Sequence, residues 1–217
     1  MRVRAVIFDF NGTLSHDEPI LLSIFQELFA EYGRPLSAAQ YFDELAGLSD
    51  PQIVRTWLGP DHPAVDEVIE RRIERYRELA ADGSTVPADV REAVRYAAER
   101  MPVAVVSGAA RAEIEPVLVA AGIAGLVGVI VAAEDVPRGK PAPDGYLYAL
   151  ERLDHAFDRR LVASDVLVFE DAEAGIASAK AAGMRCIAVL GTLPPERLAA
   201  ADEIVPALDV ELMQRVL

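Results

Sequence analysis

At 217 residues, 52% hydrophobic, 26% charged and 6% aromatic, the chain is long enough to bury a substantial core and reads as a soluble globular protein, one compact domain plus a smaller insertion. A formal charge of -14 with no acidic tail repels nucleic acid and anionic membrane and so excludes both as expected partners, but an anionic substrate stays open, because a Lys, backbone donors and a bound cation dominate at short range. No run approaches the roughly 18 apolar residues of a membrane span, Arg2 and Arg4 precede too short an apolar run for a signal peptide, and the lone Cys186 sits in an apolar run as a buried hydrophobe, so a cytoplasmic location is expected.

In chain order, residues 3–8 are short, apolar and β-branched and run into the turn-forming Asp9-Phe10-Asn11-Gly12-Thr13, which predicts a buried strand ending in a loop. Residues 21–32, 37–45, 51–58 and 64–81 then read as four helices with no strand between them. The basic run from Arg71 to Arg77 is interleaved with glutamates and reads as a solvated helix face. Phe25, Phe29, Tyr32 and Trp57 fall at helical spacings expected of a core, and His16 reads as a surface or hinge residue.

Residues 83–87 offer a return linker. Beyond it, apolar runs at 103–106, 127–131, 166–169, 186–190 and, more weakly, 203–205 alternate with Ala-rich helical segments at 88–100, 112–121, 143–153 and 174–182. Continuous apolar strands separated by helices predict a parallel sheet covered on both faces. The expected fold is therefore α/β, a doubly wound parallel core of residues 1–15 and 83–217, with a small all-helical cap of residues 16–82 inserted after the first strand.

In such a sheet the loops after the strand ends converge on one crevice. Asp9 and Asn11 follow the first strand, Ser107 the second, and Glu170 and Asp171 a later one, while Lys140 opens a helix. Each is unremarkable alone, as a loop residue, a helix cap or a solvated charge. Together they supply the parts of phosphoryl transfer. Acidic groups from two strand ends can hold Mg²⁺, a carboxylate beside the metal can attack phosphorus, Ser107 and nearby N–H groups can hold the transferring oxygens, and Lys140 can neutralise charge.

Four ordered motifs carry a specific resemblance: Asp9-Phe10-Asn11-Gly12-Thr13-Leu14, Val106-Ser107-Gly108, Gly139-Lys140-Pro141-Ala142-Pro143-Asp144, and the run from Phe169 to Ile176 followed by Ala181-Ala182-Gly183-Met184. Through them the chain resembles the haloacid dehalogenase-like hydrolases, in the helical-cap branch that includes phosphoglycolate phosphatase-like and β-phosphoglucomutase-like members. The resemblance implies Asp9 as nucleophile and metal ligand, the Asn11 main-chain carbonyl and Asp171 as further ligands, and Glu170 as a direct or water-mediated support. It gives Ser107, Gly108 and Lys140 phosphate-binding roles and Mg²⁺ as cofactor. The cap loop, through Gly47, Ser49 and Asp50, is expected to select the substrate, although Ser49 or Asp50 could equally cap the helix that follows.

Asn11 departs from the family pattern, which usually places an Asp there to protonate the leaving oxygen and then activate water. An amide does neither, so general acid–base help of roughly 10²–10⁴-fold is missing. A slow or specialised enzyme, a binding protein without turnover and a substitution made to trap a complex all fit that change. The expected function is a Mg²⁺-dependent phosphatase acting on a small phosphate monoester through an aspartyl phosphate, as a monomer or dimer; a phosphomutase and a catalytically impaired phosphometabolite-binding protein are the alternatives. The branch with dehalogenase activity fits less well, because Glu170 and Asp171 follow the metal-binding phosphatase pattern. No Arg lies between Ala46 and Asp50 to hold a second phosphate, which disfavours the mutase.

Overall fold

A computed structural model describes residues 3–157 and 160–217; Arg2, weighed above with Arg4, lies outside the described residues. Six strands, β1 (Ala5–Phe8), β2 (Val103–Val106), β3 (Val129–Val131), β4 (Val166–Glu170), β5 (Arg185–Val189) and β6 (Glu203–Val205), form one parallel sheet in the order β3-β2-β1-β4-β5-β6. Every residue of β1, β2 and β4 is buried, as the continuous apolar runs require of strands covered on both faces. The order reverses on either side of β1, and the crevice at that switch point opens at the C-terminal ends of β1, β2 and β4. Phe8 and Phe169, paired in register across β1 and β4, stack with ring centroids 5.3 Å apart directly beneath it.

Between β1 and β2 the chain forms only helices: α1 (Glu18–Glu31), the short α2 (Ala38–Gln40), α3 (Asp50–Leu58), α4 (Val65–Leu79) and α5 (Ala88–Ala98). The core helices that follow are α6 (Arg111–Ala120), α7 (Asp144–Phe157), α8 (Glu173–Ala181) and α9 (Val210–Val216). α4 packs on α1 and α3 and also reaches α6 of the sheet layer. Phe25 and Phe29 are buried in the insertion, with Trp57 stacked on Phe29, so these aromatics form its core. His16 is exposed and Cys186 buried. Among the described residues, no helix is long and apolar enough to cross a membrane.

Three expectations need correction. The helix expected over 37–45 is α-helical only at Ala38–Gln40 and widens to a π-turn at Tyr41–Leu45, closed by Ala46 N–H donating to the Tyr41 carbonyl at 2.8 Å, which keeps both Tyr41 and Leu45 buried. α9 was not expected, because its seven residues follow the weakest strand signal. The third concerns the basic run on α4. Arg71 and Arg75 do pair at the surface with Glu31 and Glu78, but Arg72 is buried, since it shares the inward face of α4 with Val65, Val68 and Tyr76.

The strand end beneath the crevice is held by packing, and Phe8→Ala is expected to lower unfolding free energy by roughly 3–5 kcal/mol, measured as a reduced urea midpoint at unchanged m-value.

Candidate active site

The loop after β1 is a tight turn in which Leu14 and Ser15 N–H both donate to the Phe10 carbonyl, while Asp9 N–H donates to the Phe169 carbonyl of β4 at 2.9 Å. Gly12 makes the turn possible: its φ is +74°, and a Cβ there would lie 1.8 Å from an Asp171 carboxylate oxygen. Asp9 is thereby presented from β1 beside Glu170 and Asp171 from the end of β4. Gly175, in the first turns of α8, leaves the room that the Glu170 carboxylate fills.

Lys140 reaches this cluster from the loop before α7, with its ammonium donating to Asp9 and lying 2.5 Å from Glu170 Oε1. Tyr146 on α7 donates its hydroxyl to the same Glu170 oxygen at 2.5 Å. Thr192, just beyond β5, donates to Asp171. Ser107 is buried after β2, where its hydroxyl accepts the Ala109 N–H at 3.0 Å.

Asp9, Glu170 and Asp171 each offer a carboxylate oxygen, and the three oxygens lie within 4.8 Å of one another. Burial, less the attraction of Lys140 and plus the repulsion of Glu170, raises the Asp9 carboxyl to about 7. Burial, Asp9 and Glu170 hold that of Asp171 well above the usual range. Burial opposes the charge on Lys140, but Asp9 and Glu170 outweigh it and push the ammonium up, so it stays protonated. Three buried carboxylates around one lysine leave an excess of negative charge, and an all-oxygen donor set suits a hard divalent cation such as Mg²⁺.

A cavity of about 320 Å³ lies over the cluster and is lined by Asp9, Asn11, Ser107, Gly108, Lys140, Glu170 and Asp171 on one side and by Gly47, Ser49 and Asp50 on the other. The site residues expected from the sequence thus share one cavity. Ser49 is also the N-cap of α3, where its N–H donates to Gln52 at 3.0 Å. The Asn11 amide is already engaged, its Nδ2 donating to Asp17 Oδ2 at 2.8 Å. Asp17 heads α1 without capping it; its carboxylate instead takes up Asn11 and the Tyr76 hydroxyl, the latter at 2.5 Å.

Sequence reasoning missed the far wall of this cavity. Glu18, whose carboxylate accepts the Tyr41 hydroxyl at 2.9 Å, lines it, as does Arg72, which ion-pairs with Glu113 of α6 and lies 3.4 Å from Asp50. Burial raises Glu18 from 4.5 to about 7 against the Tyr41 bond, helped by Asp17, and raises Glu113 from 4.5 to about 7 against Arg72, helped by Asp50. The period that places Arg72 with Val68 and Tyr76 could have shown it, as the strand-end rule could have shown Thr192.

A carboxyl group with a raised folded pKa binds its proton more tightly when folded, so its contribution to stability is complete below the unfolded value and is lost as pH rises through the folded one. Urea midpoints measured in EDTA are therefore expected to fall from pH 5 to pH 8, and the fall is expected to be shallower in the Glu18→Gln, Glu113→Gln double variant.

Comparison with known proteins places residues 6–189 in a match to the haloacid dehalogenase-like hydrolase family. The chain is 30% identical to validoxylamine A 7'-phosphate phosphatase of Streptomyces hygroscopicus subsp. limoneus, over 94% of each chain. It is likewise 30% identical to protein CbbY of Rhodobacter capsulatus, over 100% of this chain and 98% of that one. A crystal structure of a mutant CbbY from Rhodobacter sphaeroides in complex with xylulose-(1,5)bisphosphate superposes with a TM-score of 0.82 at 26% identity, covering 95% of both chains.

Proposed function

The chain belongs to the haloacid dehalogenase-like hydrolases, as a phosphohydrolase of the phosphoglycolate phosphatase-like and β-phosphoglucomutase-like branch, and on that premise we propose that it hydrolyses a small phosphate monoester through transient phosphorylation of Asp9. The observation that carries this reading is the Lys140 ammonium held against Asp9 in a cavity that also presents Ser107 and Asp171. In this reading residues 16–82 form the cap over a core of 1–15 and 83–217, and Gly47, Ser49 and Asp50 contribute to choice of substrate.

An Asp9 oxygen attacks phosphorus as the alkoxide or aryloxide leaves; water then attacks the aspartyl phosphate, releasing phosphate and restoring the carboxylate. Lys140 favours the ionised form of Asp9 and balances the phosphoryl charge, while the Ser107 hydroxyl and the Gly108 N–H hold the phosphoryl oxygens, the Ser107 N–H being spent on the Val131 carbonyl. Mg²⁺, held by Asp9, Asp171 and the Asn11 main-chain carbonyl with Glu170 in support, would when bound supply further neutralisation of those oxygens. Thr192 and Tyr146 fix the carboxylates of Asp171 and Glu170.

The Asn11 amide neither gives the leaving group a proton nor takes one from water, and its tie to Asp17 holds it out of other work. Turnover should thus depend steeply on the leaving group, and the aspartyl phosphate should be long-lived. On matched substrates, Asn11→Asp is expected to accelerate alkyl phosphate hydrolysis by roughly 10²-fold and aryl phosphate hydrolysis by less. EDTA should abolish both activities and Mg²⁺ restore them. Equal rates across leaving groups with no gain in Asn11→Asp would contradict the reading of Asn11, and release of no phosphate with tight ligand binding would point instead to a phosphometabolite-binding protein.

A further inference from the structure

The wall of the cavity opposite the phosphate end is built by the helical insertion, and its charges are unevenly matched. Lys140 and Arg72 are the cations among its described lining residues. Lys140 is committed to Asp9 and Glu170. Arg72, only 3% exposed, is flanked by Glu113 and Asp50. Its Nε nonetheless makes no hydrogen bond, since Asp50 stands at 3.4 Å without the alignment to accept one. Beside it stands the carboxylate of Glu18, whose one hydrogen-bonding partner among the described residues is Tyr41. Leu21, Phe25 and Ile53 complete this end of the cavity.

We propose that Asp50, Arg72 and Glu113 form an anion-rejecting element, and that with Glu18 they select a phosphate monoester whose leaving group is a hydroxyl-rich polyol carrying no second anion. The inference rests on the hydrolytic reading of the opposite end and adds the class of leaving group. A hydroxyl can donate its proton to Glu18 or Asp50 and so be held without drawing Arg72 from its partners. A phosphate dianion or a carboxylate only accepts. To hold one, Arg72 would have to leave Asp50 or Glu113, and a buried carboxylate deprived of its only cation costs more than the new pair returns. The apolar residues then face the carbon skeleton of the polyol.

The test compares two compounds that differ chiefly in one anion, sorbitol 6-phosphate and 6-phosphogluconate, with p-nitrophenyl phosphate reporting on the phosphate end alone. For the wild-type enzyme with Mg²⁺, kcat/KM is expected to favour the polyol by about tenfold or more. In Glu113→Gln and in Asp50→Asn, where Arg72 gains a free face, the preference should shrink by shifting KM for 6-phosphogluconate. Calorimetric binding of the same pair to Asp9→Ala, which has no nucleophile, should show the same order. Failure to hydrolyse any of the three compounds overturns the hydrolytic reading, and the calorimetric order still judges the wall. Hydrolysis of p-nitrophenyl phosphate with equal or better use of 6-phosphogluconate overturns the present inference and leaves the hydrolytic one standing. Should either variant fail to fold, the wild-type preference decides.

Discussion

One ammonium group bridges the carboxylates presented at the ends of β1 and β4. Lys140 reaches from the loop before α7 to Asp9 on one strand and Glu170 on the other, and it is the cation of the cluster that also contains Asp171. Buried carboxylates this close repel one another and resist ionisation, as the raised Asp9 and Asp171 values express. Lys140 lowers the cost of ionising Asp9, but one ammonium faces three carboxyl groups. The arrangement is therefore poised for a second cation and an anionic phosphoryl group. Its surroundings follow from that demand: Tyr146 and Thr192 fix two of the carboxylates, and Gly12 and Gly175 clear the space those carboxylates occupy.

The insertion is tied to this centre through polar groups as well as through apolar packing. Asp17 binds both Asn11 of the strand-end loop and Tyr76 of α4, and Arg72 of α4 pairs with Glu113 of α6. The Arg72–Glu113 pair is buried, so separating the layers there exposes charges that were matched at some cost in desolvation. This gives Asn11 a structural setting. Asn11 is bonded to a carboxylate six positions on, and the far wall of the cavity carries carboxylates and one shared arginine.

The core was legible because its signals are local and strong. Strands buried on both faces must be apolar throughout, so residues 103–106 could be read to the residue, and a parallel sheet brings strand-end loops together whatever lies between them, which is why Asp9, Ser107 and Asp171 could be grouped from sequence. The far wall was not legible, because its residues come from α1, the π-turn, α3 and α4, whose mutual packing no strand-end rule governs. Arg72 was hidden inside a run whose neighbours are solvated, and only its spacing from Val68 and Tyr76 marks it. Asp17 carries no local signal in the sequence; its partners, Asn11 and Tyr76, come together only when α4 is folded over the loop.

The central claim is that Asp9 carries the phosphoryl group during turnover. Acid quench of the enzyme with Mg²⁺ and an aryl phosphate, followed by peptic digestion and mass spectrometry, measures this directly. The account predicts a phosphoryl increment on the peptide containing Asp9, accumulating within the first turnover because Asn11 cannot activate water, and lost when the acyl phosphate is cleaved by hydroxylamine. Turnover with no increment on that peptide, or with the increment on another residue, would contradict it.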